Sequence, residues 1–252
     1  MKTIVLSAGH GGRDPGAVGN GVRESEAVLQ VCLYCRDHLN RHYEGHKLVL
    51  PRTTNKFVSL PARRDIARDA GADLYVSIHM NSFNNPSANG FETFTHSGPL
   101  YETTLNYQKI IHETVYSYMQ TLGVRDRGRK RADHYVTRVM PCPTVLIEYL
   151  FISNPREAEF AKDSKKLAGM GRATAEGIAK ALNLQQTDKP VEPGPLPEIQ
   201  RTIAVKVDGR DADMTGYLID NRTYLPALDV CNIAGVEVTG HGDFINIRRP
   251  RR

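Results

Sequence analysis

The first seventeen residues place a short apolar strand directly before a glycine-rich turn. Residues 2–6 (KTIVL) form a mostly apolar, β-branched run, as in a buried strand. Residues 7–17 (SAGHGGRDPGA) then surround one histidine with four glycines and a proline. Glycine adopts backbone conformations that other residues avoid, so this segment predicts a tight, shaped turn. Because sites in α/β proteins are built where strands end, His10 is the first candidate functional residue.

Strand and helix patterns alternate along the chain as far as residue 184. We predict helices at 24–42, 60–70, 101–122 and 165–184, a further helix opened by Ser153-Asn154-Pro155, and strands at 46–50, 73–78, 90–95 and 144–147. Residues 123–138 are basic and follow neither period, so we predict an irregular segment there. The alternation predicts an α/β fold with a mostly parallel, twisted sheet flanked by helices on both faces.

The pattern changes after residue 184. Four prolines between residues 185 and 200 predict a stiff linker. Beyond it, short strands at 202–207, 217–219, 236–238 and 244–247 around a helix at 225–234 predict a small β-rich domain. We therefore expect a main domain at 1–184, a proline-rich linker at 185–200 and a small β-rich domain at 201–252.

Composition narrows the classes of partner. The 252 residues carry a net charge of +5, which favours an anionic surface, but no basic motif interleaved with aromatic residues predicts nucleic-acid binding. No apolar run approaches the roughly 18 residues that a membrane span needs. The N-terminus lacks the charged and apolar regions of a signal peptide, so we expect no export signal. Nothing in the sequence specifies an oligomeric state.

Three ionisable residues are predicted to share one edge of the sheet. His10 follows the first strand, His79 ends the strand at 73–78, and Glu148 ends the strand at 144–147. Because the carboxyl ends of parallel strands meet at one edge, these side chains should converge, and Glu24 at a helix start could reach them. Two histidines and a carboxylate form a hydrolytic zinc site, and a further glutamate supplies a general base. The other interpretation of any single strand-end histidine is a hydrogen-bonded loop residue.

Several sequence blocks then follow one another in a fixed order. They are GHGGRDPGA at 9–17, GVRE at 21–24, RTT at 52–54, ADLYVSIHMN at 72–81, RG at 127–128, VLIE at 145–148 and FISN at 151–154. In this order they resemble the zinc-dependent N-acetylmuramoyl-L-alanine amidases of the type 3 family, found in phage endolysins and bacterial autolysins. The resemblance implies that His10, Glu24 and His79 bind Zn²⁺ and that Glu148 is catalytic. Glu26 is a competing ligand, and we prefer Glu24 because the motif aligns there.

The resemblance also implies an activity and a setting. The reaction would be hydrolysis of the amide bond between N-acetylmuramic acid and the L-alanine of the peptidoglycan stem peptide by zinc-activated water. The glycines around His10 would let a bulky glycopeptide approach the metal. Without an export signal we expect a phage endolysin, or else an amidase freed when a mother cell lyses. In either case it is made in the cytoplasm of the host or producing cell and acts on the wall after release. Rival interpretations are a zinc peptidase that cuts within the stem peptide and a non-catalytic wall-binding protein.

The C-terminal residues resemble the small stalk-like domain found beside copper amine oxidases and in bacterial surface proteins. The resemblance rests on VKVDG at 205–209 and LIDNRTYLP at 218–226. Its place beside a lytic domain and past a proline-rich linker leads us to expect attachment to the cell wall, including anionic wall polymers. The alternative is an appendage that stabilises or dimerises the protein.

Overall fold

A computed structural model of the chain describes residues 1–187 and, further on, the strands at 201–207, 210–219, 222–224, 237–241 and 244–248. The chain divides into two compact units, Met1–Pro190 and Val191–Arg252. Most of the predicted linker (188–200) and the predicted helix at 225–234 lie outside the described residues. None of the described helices is long and apolar enough to cross a lipid bilayer.

The first unit alternates strands with helices. Its helices are α1 (Glu24–His42), α2 (Leu60–Asp69), α3 (Thr104–Thr121), α4 (Tyr135–Val139), α5 (Pro155–Lys162) and α6 (Ser164–Leu182). Its strands are β1 (Lys2–Ala8), β2 (Val18–Gly19), β3 (Val22–Arg23), β4 (Tyr43–Glu44), β5 (His46–Val49), β6 (Leu74–Asn81), β7 (Phe91–His96), β8 (Asp126–Ala132), β9 (Thr144–Phe151) and β10 (Gln185–Gln186).

Six of these strands form the central sheet, in the order β5-β1-β6-β9-β7-β8. Neighbours run parallel except for β7 and β9, which are antiparallel. Helices α1, α3, α5 and α6 pack with the larger hydrophobic core on one face, whereas α2 and α4 contribute to a smaller core on the other. The predicted α/β fold with a mostly parallel, helix-flanked sheet is confirmed.

The glycine-rich turn also sets where α1 begins. Arg23, the residue before the helix, makes no side-chain cap. Instead the backbone amides of Glu24 and Ser25 donate to the carbonyls of Ala17 (2.9 Å) and Pro15 (3.0 Å). Because these are among the amides that a helix leaves unpaired at its N-terminus, the turn replaces the usual capping side chain. Glu24 is thereby fixed beside the end of β1.

Three predictions about local structure were wrong. Residues 123–138 are not irregular, since they contain β8 and α4. β8 (DRGRKRA) lacks an apolar alternation because it is an edge strand, where charged side chains discourage pairing with other chains. His79 and Glu148 do not end their strands, because β6 continues to Asn81 and β9 to Phe151.

The predicted linker also begins later than residue 185. Gln185 and Gln186 form β10, which pairs antiparallel with β4. The Thr187 amide donates to the His42 carbonyl at 2.9 Å. These backbone contacts attach residues 185–187 to the first unit.

The second unit contains a five-stranded sheet. Its strands are β11 (Arg201–Val207), β12 (Arg210–Ile219), β13 (Arg222–Tyr224), β14 (Glu237–His241) and β15 (Phe244–Arg248), in the order β13-β12-β11-β15-β14. All neighbours are antiparallel except β11 and β15. The described strands agree with the predicted β-rich character, although β12 is longer than predicted and β13 was not predicted.

Candidate metal centre

The turn after β1 is held in place by two buried arginines. Arg63 donates to the carbonyls of Ala8 (2.6 Å) and His10 (2.7 Å), and Arg52 donates to the carbonyl of Gly9 (2.6 Å). Both arginines are almost fully buried, at 1% and 3% exposure for Arg52 and Arg63. His10 itself has a φ of +54°, in the left-handed region that side chains with a Cβ disfavour. Such strain persists only where surrounding contacts fix the backbone, and here they hold the imidazole in one position.

His10, Glu24 and His79 come together at this turn. Glu24 Oε2 lies 3.2 Å from His10 Nε2, and Glu24 Oε1 lies 2.9 Å from His79 Nδ1. One ligand atom from each residue lies within 4.8 Å of the other two. Within the described residues no other group of three or more histidine, cysteine or acidic side chains is arranged to hold a metal. These three residues could hold a metal ion.

The outer nitrogen of each histidine already has a partner. Asp14 Oδ2 lies 2.9 Å from His10 Nδ1, and Ser77 Oγ lies 3.0 Å from His79 Nε2. Hydrogen bonds of this kind fix the ring orientation of metal-binding histidines and raise their basicity. They leave His10 Nε2 and His79 Nδ1 facing Glu24. Sequence reasoning assigned no role to Asp14 or Ser77, although both stand in the quoted sequence blocks.

Two glycines make room for these side chains. A Cβ on Gly9 would lie 2.3 Å from the His79 ring, and a Cβ on Gly16 would lie 2.6 Å from Glu24 Oε2 and 2.7 Å from the His10 ring. Side chains at either position would therefore displace the cluster itself. Our explanation that the glycines admit a glycopeptide was wrong for these two, since they face the candidate ligands.

The electrostatics of the cluster favour a cation beside Glu24. Burial disfavours ionisation of Glu24, but hydrogen bonds and positive charge from His10 and His79 outweigh it and hold the pKa of Glu24 well below its ordinary value. Burial also disfavours the charged form of His10, yet hydrogen bonds with Glu24 and Asp14 raise its pKa overall. The Glu24 carboxylate is thus stabilised in its ionised form by positive charge on the side where His10 Nε2 and His79 Nδ1 face it.

Glu148 lies next to this cluster in the sheet. It is paired with His79 of β6 on one side and with Glu92 of β7 on the other, so the three side chains form a row on one face. Its Oε2 is buried and has no hydrogen-bond partner among the described residues. Burial, followed by the negative charges of Glu24 and Glu92, raises the pKa of Glu148 well above its ordinary value. A carboxyl group with these properties is a candidate general base.

Glu92 was not identified from the sequence. This carboxylate is only 3% exposed, and it accepts hydrogen bonds from Asn81 Nδ2 (2.7 Å) and Arg127 Nε (2.8 Å) and from Lys130. Asn81 and Arg127 stand in the quoted blocks, and these alone could have directed attention to this side of the site. Glu92 itself carries no sequence signal beyond its place in an alternating strand.

Two clefts open beside the row of His79, Glu148 and Glu92. One, of about 280 Å³, is lined by His10 and His79 together with apolar side chains, namely Phe57, Val58, Leu60 and Val136. The other, of about 360 Å³, is lined by Glu92 and Arg127 with polar and aromatic neighbours, among them Asn81, Phe83, Asn85 and Phe151. The site is therefore apolar on the His10 side and polar on the Glu92 side.

The four predicted site residues thus lie in one region. His10, Glu24 and His79 make direct contacts, and Glu148 occupies the neighbouring strand position. Glu26, the competing ligand, is exposed on α1 and is not part of the cluster.

Comparison with known proteins identifies the family of the chain. A family model described as N-acetylmuramoyl-L-alanine amidase matches residues 4–180. The sporulation-specific N-acetylmuramoyl-L-alanine amidase of Bacillus subtilis is 38% identical over 187 residues, covering 74% of this chain and 71% of the relative. The endolysin of Bacillus phage SPP1 is 38% identical over 186 residues, covering 73% and 68% respectively.

A solved structure gives the same result for the fold. The catalytic domain of CwlV, an N-acetylmuramoyl-L-alanine amidase from Bacillus (Paenibacillus) polymyxa, superposes with a TM-score of 0.68 at 28% identity. The match covers 73% of this chain and 100% of that domain. The chain therefore belongs to the N-acetylmuramoyl-L-alanine amidase family.

Proposed function

We propose that this protein is a zinc-dependent amidase that hydrolyses the bond between N-acetylmuramic acid and the L-alanine of the peptidoglycan stem peptide. The observation that carries the proposal is the triangle of His10, Glu24 and His79 beside Glu148, whose Oε2 is buried. The names of the related amidases and of the phage endolysin support the substrate.

The donor set of the triangle fits Zn²⁺. Imidazole nitrogen and carboxylate oxygen are ligands that zinc accepts. One such atom from each of His10, Glu24 and His79 lies within 4.8 Å of the other two. Three protein ligands are typical of catalytic rather than structural zinc. When bound by these residues, zinc would polarise the scissile carbonyl and make water a nucleophile at neutral pH.

Glu148 is the proton carrier in this proposal. Its buried Oε2, which has no protein partner in the described part of the chain, accepts a proton from the attacking water. The same oxygen then delivers that proton to the leaving amine of L-alanine. The raised pKa of Glu148 favours this exchange, because a carboxyl group that binds a proton more tightly is a stronger base.

The proposal also assigns a role to each part of the chain and a biological setting. Residues 1–187 form the catalytic domain, 188–200 the linker, and 201–252 a domain that attaches the enzyme to the cell wall and its anionic polymers. Similarity to the SPP1 endolysin supports a role in lysis, with the enzyme reaching the wall after release from the cell in which it is made.

Digestion of purified peptidoglycan tests the reaction. We expect mass spectrometry to find stem peptides with a free L-alanine amino group and intact N-acetylmuramic acid. Fragments cut within the stem would instead support the zinc peptidase, and binding without any release would support the non-catalytic protein.

Metal removal tests the cofactor. Treatment with a chelator should abolish release, and added Zn²⁺ should restore it. Full activity in chelator would remove zinc from the proposal. Glu148→Gln should keep zinc affinity but lose at least about 100-fold in kcat, the lower range for general-base catalysis; near-normal turnover would remove Glu148 from the mechanism.

A further inference from the structure

The cleft on the Glu92 side contains an arginine with spare hydrogen-bonding capacity. Arg127 donates through Nε to Glu92 (2.8 Å) and through one terminal nitrogen to the carbonyl of Asn89 (3.3 Å). Its guanidinium carbon lies 4.8 Å from the ring centroid of Phe151. The other terminal nitrogen has no acceptor among the described residues, and the side chain is 31% exposed where it lines the cleft. The guanidinium is thus held in one orientation with donors left for a ligand.

Arg52 and Arg63, the two arginines that hold the turn at His10, are different. Arg52 donates to the carbonyls of Ala8, Gly9, Thr54 and Ser25, and Arg63 donates to Val58, Ser7, Ala8 and His10. Both are buried, and the cleft that Arg63 helps to line has mainly apolar walls. These two arginines support the turn, whereas Arg127 is available to an anionic group. Of these three arginines, Arg127 is therefore the one that can bind an anion.

The position of Arg127 fixes how far this anion lies from the reacting bond. Glu92 and Glu148 are paired on neighbouring strands, which are about 4.8 Å apart, and Arg127 lies one hydrogen bond beyond Glu92. The guanidinium of Arg127, on the second strand from Glu148, therefore lies about one to two strand spacings, roughly 5–10 Å, from the Glu148 position. An extended peptide covers about 3.5 Å per residue, so this distance corresponds to about two residues.

We propose that this cleft binds the peptide side of the substrate and that Arg127 recognises a free α-carboxylate on the residue that follows L-alanine. This inference rests on the proposed amidase function. A guanidinium can bind a carboxylate through two parallel hydrogen bonds, and it does so best when its orientation is already fixed, as by Glu92 and Phe151 here. The apolar cleft on the His10 side then receives the muramyl side. The enzyme is accordingly selective for stems whose second residue keeps its carboxylate over stems in which it is an amide.

Two synthetic N-acetylmuramyl dipeptides test the proposal. They differ only in whether the second residue carries an α-carboxylate or an α-carboxamide. With the full-length zinc-loaded enzyme we expect kcat/KM to favour the carboxylate by about 10- to 100-fold, mainly through KM, as for a charge-assisted hydrogen bond. Arg127→Lys keeps a positive charge for Glu92 but cannot form the two parallel hydrogen bonds, so the ratio of kcat/KM for the two substrates should fall toward one.

Arg129→Lys is the matched control. Arg129 lies on the same strand as Arg127 but faces the opposite side of the sheet, near Gln108 and His112. The Arg129→Lys variant should therefore keep the preference for the carboxylate substrate. Melting temperatures of both variants should stay near that of the wild type, which separates the effect from unfolding. Equal cleavage of the two substrates by wild type, or an unchanged preference in Arg127→Lys, would overturn the assignment while leaving the amidase function intact. Failure of the wild type to release the L-alanine amine from either substrate would overturn both.

Discussion

Gly16 has a left-handed backbone conformation and lies against two of the candidate ligands, Glu24 and His10. Its φ is +66°, and a Cβ there would lie 2.6 Å from Glu24 Oε2 and 2.7 Å from the His10 ring. We expect Gly16→Ala to weaken zinc binding by at least about tenfold, comparable to losing a supporting contact of a metal site. Isothermal titration of the metal-free protein with Zn²⁺ measures the change.

Gly45→Ala is the control for the backbone alone. Gly45 has a similar φ of +77°, but nothing lies within 4 Å of a Cβ placed there. A left-handed alanine costs about 1–2 kcal/mol, so the melting temperature should fall by roughly 2–8 °C with zinc affinity unchanged. Equal zinc affinities in the two variants would contradict the view that Gly16 makes room for the ligands.

Asp14 supports the candidate ligand His10 through a hydrogen bond. It contacts the outer nitrogen of His10 at 2.9 Å, so we expect Asp14→Ala to lower zinc affinity by about 10- to 100-fold and Asp14→Asn by less. Competition with a chromophoric chelator gives the affinities. Glu26→Ala is the comparison, because Glu26 is an exposed acid in the first turn of α1 outside the cluster. A larger loss from Glu26→Ala than from Asp14→Ala would return Glu26 to consideration as the ligand.

At the scale of elements, the contact between α1 and α6 should respond to pH through His38. Burial, then the positive charges of His42, Arg172 and Arg41, lowers the pKa of His38 from 6.5 to about 4. Between these values the unfolded chain binds a proton that the folded chain does not. Stability therefore rises with pH across this window, and the contribution is lost as pH falls from 6.5 toward 4.

His38→Gln should remove that part of the pH dependence. We expect the melting temperature of the variant, relative to wild type, to be higher at pH 4.5 than at pH 7.5. Thermal unfolding of metal-free protein across this pH range measures the difference. A constant difference between the two proteins at all pH values would show that His38 does not titrate as described.

Over the whole molecule, the sequence predicted elements and site residues that depend on local sequence pattern. It missed those that depend on which strands are neighbours in the sheet. The bounds of α1 were predicted correctly, because its first turn is acidic and its apolar positions repeat at the helical period. β8 was missed, since an edge strand of charged residues has no apolar alternation. His10, Glu24 and His79 were named because they stand at strand ends and a helix start and because motif blocks carry them. Glu92 lies opposite Glu148 only through the antiparallel pairing of β7 with β9. Such cross-strand neighbours follow from the strand order, which no single segment contains.

The division of the chain into two units leads to a prediction about the whole enzyme. Because Gln185–Gln186 pair with β4 and Thr187 bonds to His42, the first unit should be cut after residue 187 rather than 184. Residues 1–187 should match the full chain within about twofold on a soluble muramyl peptide, since the candidate site lies within them. On intact cell walls they should be at least about tenfold slower, because a tethered binding domain raises the effective concentration of enzyme at its substrate. Turbidity assays on purified walls measure this, and equal rates for the two proteins would mean that residues 201–252 do not attach the enzyme to the wall.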